Sequence, residues 1–543
     1  MPTTSAYLVI TMTSLIDIDG DDASKYRLIG DRVLSYRFAV PHDERLYLGD
    51  VLKITDDVKR LTFFAKVNDL VHDCNFSDPK WDTRPHTEHF YGMGEDVFIL
   101  VEATPLGYVG DDGLFRKPRT IPAKFSRVER PEPRDFEFLQ QVMGDIEVGV
   151  MKNGEGEFRD VRVALHAPVM RQHMGVFATT GMGKSNFMKV FCASCMRARR
   201  FGLLIVDPHG EYVAGGRSSS GEATRGLLHY QAGRDGLAVF STRGDDFIKK
   251  YHLNRLYLDH DDFSAPDLLL LYEHSTPQRE VVEMLADRPG SDLIEFFLKT
   301  DFATFDAGTY RGPHAGIARD LKNFSLSTLS VMQRRIAGMM NRNRRFFRKQ
   351  GSSIPDILKE LHENRVVLID IPGMSEQSEL FVLSIITRRI MRSHQEEETG
   401  GEKEPKQVLI TIEEAQRVLG SGYGSTRTFR EAAMEGRKFG VGLCVVTQQP
   451  KNIDARVLAQ INTFVVMGLS DRGDREIIAG SAKQDLSHMD TEIQTLERGE
   501  AVISTIGIPF PVSTRIHLYE DYIEELNRRP AARAIDEGLE KTF

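Results

Sequence analysis

The chain has 543 residues, with 70 Lys and Arg against 79 Asp and Glu, a formal net charge of −9 and a pI near 6.0. An apolar content of 41% and a charged content of 27% are typical of a folded chain of about three to four domains, and they exclude disordered and fibrous proteins. The acidic balance excludes a uniformly basic nucleic-acid-binding protein but not a locally basic channel, because net charge does not say where charges lie.

The start of the chain lacks the positive flank and apolar core of a secretory signal, and no run of about 18 apolar residues is present to span a membrane. Four cysteines, Cys74, Cys192, Cys195 and Cys444, are too few for a disulfide framework and fit a reducing cytoplasm. Cys192 and Cys195 have the spacing of a zinc ligand pair, but no second pair accompanies them. We expect them to pack inside a helix of a cytoplasmic protein that has no membrane segment.

Residues 1–130 consist of short alternating apolar segments separated by Gly, Asp and Asn, which is typical of strands and turns. The clearest segments are Tyr7–Met12, Leu46–Ile54, Phe63–Val67 and Val97–Ala103. This region is predicted to be a small barrel or sandwich. The Pro-rich, charged run Glu129–Arg134 indicates a linker, which we assign to residues 131–145.

From about residue 146, short buried strands alternate with helices, which is typical of an α/β fold with a parallel sheet and crossover helices. The predicted strands are Met174–Ala178, Phe201–Val206, Arg365–Ile371, Gln407–Ile412, Val441–Thr447 and Phe464–Leu469. We assign the α/β core to residues 146–261 and 352–520. A helix-rich insertion is predicted over 262–351, and a polar helical tail over 521–543.

The strongest motif is ATTGMGKS at Ala178–Ser185, which matches the P-loop pattern except for Ala at the first glycine. It follows an apolar strand and opens a helix, which is the context that the motif requires. Its glycines let backbone N–H groups turn towards phosphate oxygens. Lys184 is placed to reach the β and γ phosphates, and Ser185 to bind Mg²⁺. We therefore predict a site for ATP and Mg²⁺ whose nucleotide-binding residues are Thr180, Gly181, Met182, Gly183, Lys184, Ser185 and Asn186.

Two acids, Glu413 and Glu414, end a buried strand as the acids of a Walker B motif do. Glu413 is predicted to hold the hydration shell of Mg²⁺, and Glu414 to polarise the attacking water. The alternative is a pair of acids at a helix start, which the helix dipole also favours. Asp207 follows another strand and is predicted to lie near the nucleotide, because ligands gather at the carboxyl ends of parallel strands. The motif that it opens, DPHGEY, also suits a simple sharp turn.

Gln448 follows the strand Val441–Thr447 and is the predicted sensor of the γ-phosphate or of the attacking water; a strand cap is the alternative. Arg437 lies between the acidic pair and that strand. If subunits form a ring, Arg437 is predicted to act as an arginine finger across the interface, with Lys438 as the second choice. Without an oligomer, both are ordinary cations at a helix end.

Together these motifs resemble the HerA/FtsK superfamily of ring-forming, DNA-pumping ATPases, and HerA most closely, across roughly residues 146–520. The resemblance departs from the usual family residues at Ala178, Met182 and Gln416, where Gly, Ser and His are common, and none of these removes a phosphate or metal ligand. The similar segments are RQHMGVFATTGMGKS from residue 171, DPHGEY from 207, IEEAQ from 412, EGRKFGVGL from 435, VTQQP from 446 and VLAQINT from 457.

The resemblance implies a RecA-like P-loop ATPase core with an N-terminal barrel that docks a partner and an inserted helical bundle. It implies a homohexamer that binds ATP between subunits and threads double-stranded DNA through a central pore, as a translocase or helicase. It also implies a partner, either a NurA-like nuclease in DNA end processing or a nuclease or sirtuin-like effector in anti-phage defence. The cluster of Arg342, Arg344, Arg345 and Arg348 then becomes a candidate for the mouth of the channel, or else a solvated helix face.

Three other functions remain open. A conjugation- or secretion-type motor that moves protein or DNA–protein complexes commonly has a membrane anchor, which is not predicted here. A GTP-specific switch would normally carry an Asn-Lys-x-Asp base reader, and that tetrapeptide does not occur in the sequence. The third is a scaffold that retains ATP only for assembly.

Overall fold

The computed structural model of the chain describes residues 26–28, 32–74, 97–216, 221, 223–349, 351–399, 406–420 and 427–528. The predicted strand Tyr7–Met12 and residues 529–543 of the predicted tail lie outside the described residues. Most of the described chain folds around two sheets, one antiparallel with seven strands and one mixed with twelve. None of the helices in this part of the chain is long and apolar enough to cross a membrane.

The antiparallel sheet is formed by the N-terminal strands, and its two edges meet. The strands are β1 Tyr26–Arg27, β2 Tyr36–Pro41, β3 Val51–Asp56, β4 Leu61–Cys74, β5 Val97–Val109, β6 Phe115–Arg116 and β7 Arg127–Glu129. Their order is β1-β7-β3-β4-β5-β2, with β6 on β5. A backbone bridge between Leu28 and Phe38 joins the first strand of this order to the last. The predicted small barrel is therefore confirmed as a barrel-like sheet.

The larger sheet contains the predicted parallel core. Its strands are β8 Ile146–Asn153, β9 Gly156–Leu165, β10 Met174–Phe177, β11 Gly202–Asp207, β12 Leu237–Ser241, β13 Asn254–Arg255, β16 Val366–Asp370, β17 Val408–Ile412, β18 Val441–Thr447, β19 Thr463–Met467, β20 Glu500–Thr505 and β21 Val512–Ile516. The order is β13-β12-β16-β11-β17-β18-β10-β19-β20-β21-β8-β9. Neighbours from β13 to β19 are parallel, and those from β19 to β9 are antiparallel.

This sheet confirms the α/β fold class. The six predicted strands coincide with β10, β11, β16, β17, β18 and β19 to within two residues. Successive residues of β11 alternate between two hydrophobic cores, with Leu204 and Val206 in one and Leu203 and Ile205 in the other. Such burial on both faces explains why the parallel strands read as continuous apolar runs.

Seventeen helices connect the strands of the described chain. Five of them follow one another between β14 (Leu258–Asp259) and β15 (Phe347–Arg348), in the stretch expected to be helical: α5 Leu268–Leu271, α6 Thr276–Met284, α7 Gly290–Lys299, α8 Ala315–Asp320 and α9 Leu326–Asn343. The others are α1 Glu137–Gln140, α2 Ala167–Met170, α3 Lys184–Ala198, α4 Asp245–Tyr251, α10 Ile354–His362, α11 Glu376–Thr399, α12 Gln416–Leu419, α13 Arg427–Glu435, α14 Ala455–Leu458, α15 Arg472–Ser481, α16 Asp490–Thr495 and α17 Tyr519–Arg528.

Helix α3 carries the two cysteines with zinc-like spacing. Cys192 and Cys195 are free thiols that are completely or almost completely buried. Among the described residues, no group of three or more His, Cys, Asp or Glu is arranged to hold a metal ion. The prediction that these cysteines pack inside a helix is confirmed.

The stretch that we predicted to be a linker is a packed junction between the two sheets. It forms a short 3₁₀ turn and α1, and Phe136 and Leu139 are fully buried. The ring of Phe136 lies 5.6 Å from that of Phe64 on β4, and Phe138 stacks on Phe115 at 4.8 Å. Pro and charged residues predicted a linker, and the aromatic residues that follow them bury apolar surface and fix one sheet against the other.

A buried ion pair also joins the two sheets. Lys66 on β4 lies 2.8 Å from a carboxylate oxygen of Glu492 on α16, and it donates a hydrogen bond to the hydroxyl of Ser513 on β21 at 2.6 Å. The side chains of Lys66 and Glu492 are 7% and 13% exposed. Each charge has therefore lost most of its hydration and depends on the other for stabilisation.

Replacing Lys66 by Met should therefore lower the free energy of unfolding by about 3 kcal/mol, because it leaves the Glu492 charge buried without a partner. The double variant with Glu492→Gln should be more stable than the single variant. Chemical denaturation measures both values. Lys299→Met, which breaks an exposed pair with Glu295, serves as the control and should cost less than about 1 kcal/mol. Equal losses in the single and double variants would contradict this account.

Candidate functional site

The P-loop lies between the end of β10 and the start of α3. The chain turns through Gly181 and Gly183 with φ values of 87° and 101°, which side chains other than glycine rarely adopt. No atom lies within 4 Å of the position that a Cβ on Gly181 would take, so the loop is open on that side. Met182, which stands where the family usually has Ser, packs its methyl group against Gly468. Helix α3 then begins at Lys184, and the next residue, Ser185, is exposed.

Lys184 lies between the two predicted Walker B acids. Its ammonium is 3.6 Å from a carboxylate oxygen of Glu413 and 3.2 Å from one of Glu414. These contacts arise because β17, which Glu413 directly follows, is separated from β10 by β18 alone. The structure thus brings together the three residues that the sequence predicted to bind and hydrolyse a triphosphate.

Three donors hold the carboxylate of Glu414. Lys184 and the Gln448 amide bind one of its oxygens, the latter at 3.0 Å, and the Gln416 amide donates to the other at 2.9 Å. Glu414 itself adopts a left-handed backbone with φ of 45°, which is uncommon for a residue with a side chain. Burial alone would raise the pKa of Glu414, but the Gln416 amide and Lys184 together lower it below its ordinary value, so the group is a carboxylate at neutral pH.

Gln448 connects this acid to the P-loop. Its amide nitrogen donates to Glu414, and its amide oxygen accepts a hydrogen bond from the hydroxyl of Thr180. On the far side of Glu414, Gln416 accepts a hydrogen bond from Thr447 at 2.6 Å. The sequence singled out Gln416 only as a departure from the family. The sequence did contain a signal for this role, because Gln416 lies only two residues after Glu414 and can therefore reach its carboxylate.

The DPHGEY motif forms a turn that supports Glu413. Both oxygens of Asp207 accept backbone N–H groups of the turn, from Gly210 at 2.7 Å and from Tyr212 at 2.8 Å. The buried phenol of Tyr212 in turn donates to Glu413 at 2.9 Å. Asp207 therefore lies at the predicted edge of the sheet, but its oxygens are engaged in the turn, and sequence reasoning assigned no role to Tyr212.

The side chain of Asn186 is engaged away from the P-loop. It donates to the backbone oxygen of His517 at 2.8 Å and accepts the N–H of Tyr519, at the start of α17, at 2.9 Å. The nucleotide contact predicted for Asn186 would therefore come from its backbone N–H, which lies in the first turn of α3, and not from its side chain.

Arg437 lies at the opposite edge of the sheet from Lys184. It is exposed in the 3₁₀ turn Gly436–Phe439 just before β18, whereas Gln448 follows the other end of that strand. A strand of seven residues is about 20 Å long, so Arg437 is far from the P-loop of its own chain. Lys438 is exposed in the same turn and lies at the same edge.

Two buried histidines hold the turn that carries Arg437. His173 donates from Nε2 to the backbone oxygen of Ala433 at 2.9 Å, and its Nδ1 accepts the N–H of Leu443 at 2.9 Å. His394 on α11 contacts the backbone oxygen of Phe439 through Nδ1 at 2.8 Å. Burial, with the nearby Arg437 cation, lowers the pKa of His173 to about 4, so its ring is neutral at physiological pH. The turn is therefore fixed on both sides of Arg437.

The sequence is similar to a known protein family and to several named proteins. Residues 146–390 match the family model described as the central domain of helicase HerA. The chain is 21% identical over 420 residues to the DNA double-strand break repair helicase HerA of Sulfolobus acidocaldarius, which covers 75% of this chain and 76% of that protein. It is 25% identical over 502 residues to the protein of the same name from Sulfurisphaera tokodaii, which covers 89% and 88%.

Among solved structures, the bacterial conjugative coupling protein TrwB aligns with a TM-score of 0.45 and 13% identity, over 72% of this chain and 93% of that one. VirB4 of Thermoanaerobacter pseudethanolicus aligns with a TM-score of 0.40 and 12% identity, over 69% and 96%. Residues 146–390, which include the P-loop, are thus similar to the central domain of helicase HerA, and over most of its length the chain is similar to proteins named as HerA helicases.

Proposed function

We propose that the chain is an ATP-hydrolysing motor that moves double-stranded DNA as a homohexamer, together with a partner nuclease or defence effector docked on the N-terminal barrel. The names of its relatives support a role on DNA, since they are repair helicases. The partner and the six-fold ring are expectations from the family resemblance. The chemistry of hydrolysis is supported by the site itself.

The observation that carries the proposal is the contact chain from Thr180 through Gln448 and Glu414 to Lys184. It joins the P-loop to a carboxylate that is charged at neutral pH and able to polarise water. A triphosphate in the loop would compete with both acids for the Lys184 ammonium. Glu414 would then lose one of its donors when substrate binds, and Gln448 would report the change to Thr180.

The site also has donors that suit Mg²⁺, which prefers oxygen ligands and keeps several of its waters. Ser185 is exposed and offers a hydroxyl. Glu413 has one oxygen bonded to Tyr212, while the other accepts no hydrogen bond within the described residues. When bound, Mg²⁺ would neutralise phosphate charge. Ser185 and Glu413 would hold it, and Tyr212 would orient Glu413.

The position of Arg437 supports an oligomer. An arginine finger must reach the γ-phosphate, and Arg437 stands at the edge of the sheet opposite its own P-loop. Only a second copy, placed with this edge against the first copy's P-loop, can bring the two together. The buried histidine contacts on either side hold the backbone of the turn that presents Arg437 at this edge.

Lys184→Ala should lower ATP turnover at least about 100-fold, because the charge that meets the β and γ phosphates is lost. Phosphate release measures turnover. Lys451→Ala, which removes a surface lysine paired with Asp471, is the control and should retain the parental rate. Normal turnover by Lys184→Ala would refute the proposed site.

Glu414→Gln should keep ATP affinity while lowering turnover about 100-fold or more, since the amide retains the shape but is no longer a base. Binding of a fluorescent ATP analogue and phosphate release separate the two effects. Repeated turnover at the parental rate would assign the role of base to another group.

Arg437→Ala should lower turnover about 1,000-fold, because an arginine finger stabilises charge in the transition state. Lys438→Ala is the matched control in the same turn and should remain active. Mixing Arg437→Ala protein with Lys184→Ala protein should restore part of the activity, since some interfaces then combine an intact P-loop with an intact finger. Absence of any recovery in mixtures that assemble together would contradict action across an interface.

A further inference from the structure

Six arginines lie close together in sequence on the helical block, which comprises α5 to α9 and the segment up to β15; they occupy the second half of α9 and the residues after it. We call Arg334, Arg335, Arg342, Arg344, Arg345 and Arg348 the arginine ridge. No carboxylate of the described residues lies within ion-pair distance of any of them, although acids outnumber bases in the chain. All but Arg335 are exposed. Six uncompensated cations within fifteen residues repel one another, so the ridge favours a polyanionic partner.

Aromatic stacking orders part of the ridge. The Tyr272 ring lies beside α9 between Arg335 and Arg342, whose guanidinium carbons are 5.2 and 5.1 Å from its centre. Its hydroxyl donates to the backbone oxygen of Arg335 at 2.8 Å. A Cβ on Gly338 would come within 3.0 Å of that hydroxyl, so glycine leaves room for this packing. Stacked guanidiniums lose less freedom when they bind phosphate oxygens.

The same stacking favours binding to the phosphate backbone of a duplex rather than to the exposed bases of a single strand. Proteins that bind single strands offer free aromatic faces on which bases stack. Here the Tyr272 ring is taken by two arginines, and Arg348 lies 3.2 Å from the ring centre of Tyr257. From Arg334 to Arg342 the helix rises about 12 Å, which matches three to four phosphates along one strand of a duplex.

The ridge lies far from the barrel in the strand order. The helical block begins a few residues after β13, at one end of the twelve-stranded sheet, whereas the barrel contacts β8 and β21 near the other end. DNA bound at the ridge would therefore leave the barrel free for a partner.

We propose that the arginine ridge binds the phosphodiester backbone of double-stranded DNA, as a contact separate from the ATP site. This inference rests on the proposed function, since it assumes that the chain acts on duplex DNA. The contact is independent of base sequence because phosphates are the same at every step.

The test compares two triple variants that lose the same charge. The ridge variant is Arg342→Gln, Arg344→Gln and Arg345→Gln. The control is Arg392→Gln, Arg472→Gln and Arg528→Gln, three exposed arginines that each pair with a glutamate on their own helix. Fluorescence anisotropy with a 40-base-pair duplex of arbitrary sequence, at salt concentrations from about 50 to 200 mM, measures affinity and its salt dependence.

The ridge variant should bind at least ten-fold more weakly at low salt, and its slope of log K against log salt should be shallower by about 2 to 3, or roughly 0.9 per lost phosphate contact. The control should keep the parental slope, and both should keep the parental ATP turnover without DNA. A parental slope in the ridge variant, or an equal change in the control, would overturn the proposal.

Three further readouts separate the remaining outcomes. If the parental protein itself binds no duplex, the proposed function fails, and the ridge proposal that rests on it fails as well. If the ridge variant loses its oligomeric state by light scattering, the ridge is a contact between copies, and the DNA proposal is overturned. A single-stranded 40-mer should bind more weakly than the duplex, and its affinity should fall less in the ridge variant. Tighter binding of the single strand, with the same loss of affinity in the variant, would also overturn the duplex proposal.

Discussion

The ends of parallel strands on one edge of the sheet are the constraint on which this site depends. Because β10, β17 and β18 are neighbours and run in the same direction, the P-loop, the two acids and Gln448 meet there. Lys184 then contacts both carboxylates, although about 230 residues separate them in the chain. No local structure supplies this contact. It exists because a buried, apolar sheet holds the strands in register.

The same site contains a backbone conformation that costs energy and a network that offsets it. A left-handed residue other than glycine costs on the order of 1 kcal/mol or more, and Glu414 adopts this conformation two residues after the end of β17. Gln416, Gln448 and Lys184 all donate to its carboxylate and hold it there. Charge-assisted hydrogen bonds of this kind are among the stronger ones in proteins. The acid is thus oriented by contacts on both sides, towards Thr447 and towards Thr180.

The sheet also separates the P-loop region from the turn that carries Arg437. One edge of the sheet carries the P-loop and the two acids, and the opposite edge carries the turn with Arg437, held by His173 and His394. Along the strand order, the barrel and the helical block lie near opposite ends. The P-loop with its acids, the Arg437 turn and the outer surfaces thus lie on different sides of one element, whose close-packed central strands deform little.

The sequence by itself determined the α/β class, the six central strands and the P-loop with its acids, since buried parallel strands and phosphate loops have strong local signatures. It did not predict the antiparallel extension of the sheet, because the extension depends on the pairing of β21 with β8, in which Thr514 lies opposite Met151 from the far end of the sheet domain. It did not show how the segment around Phe136 packs or which partners the side chain of Asn186 takes, and it gave no role to Tyr212. Burial and side-chain partners at those positions depend on residues distant in the chain, so only the tertiary structure decided them.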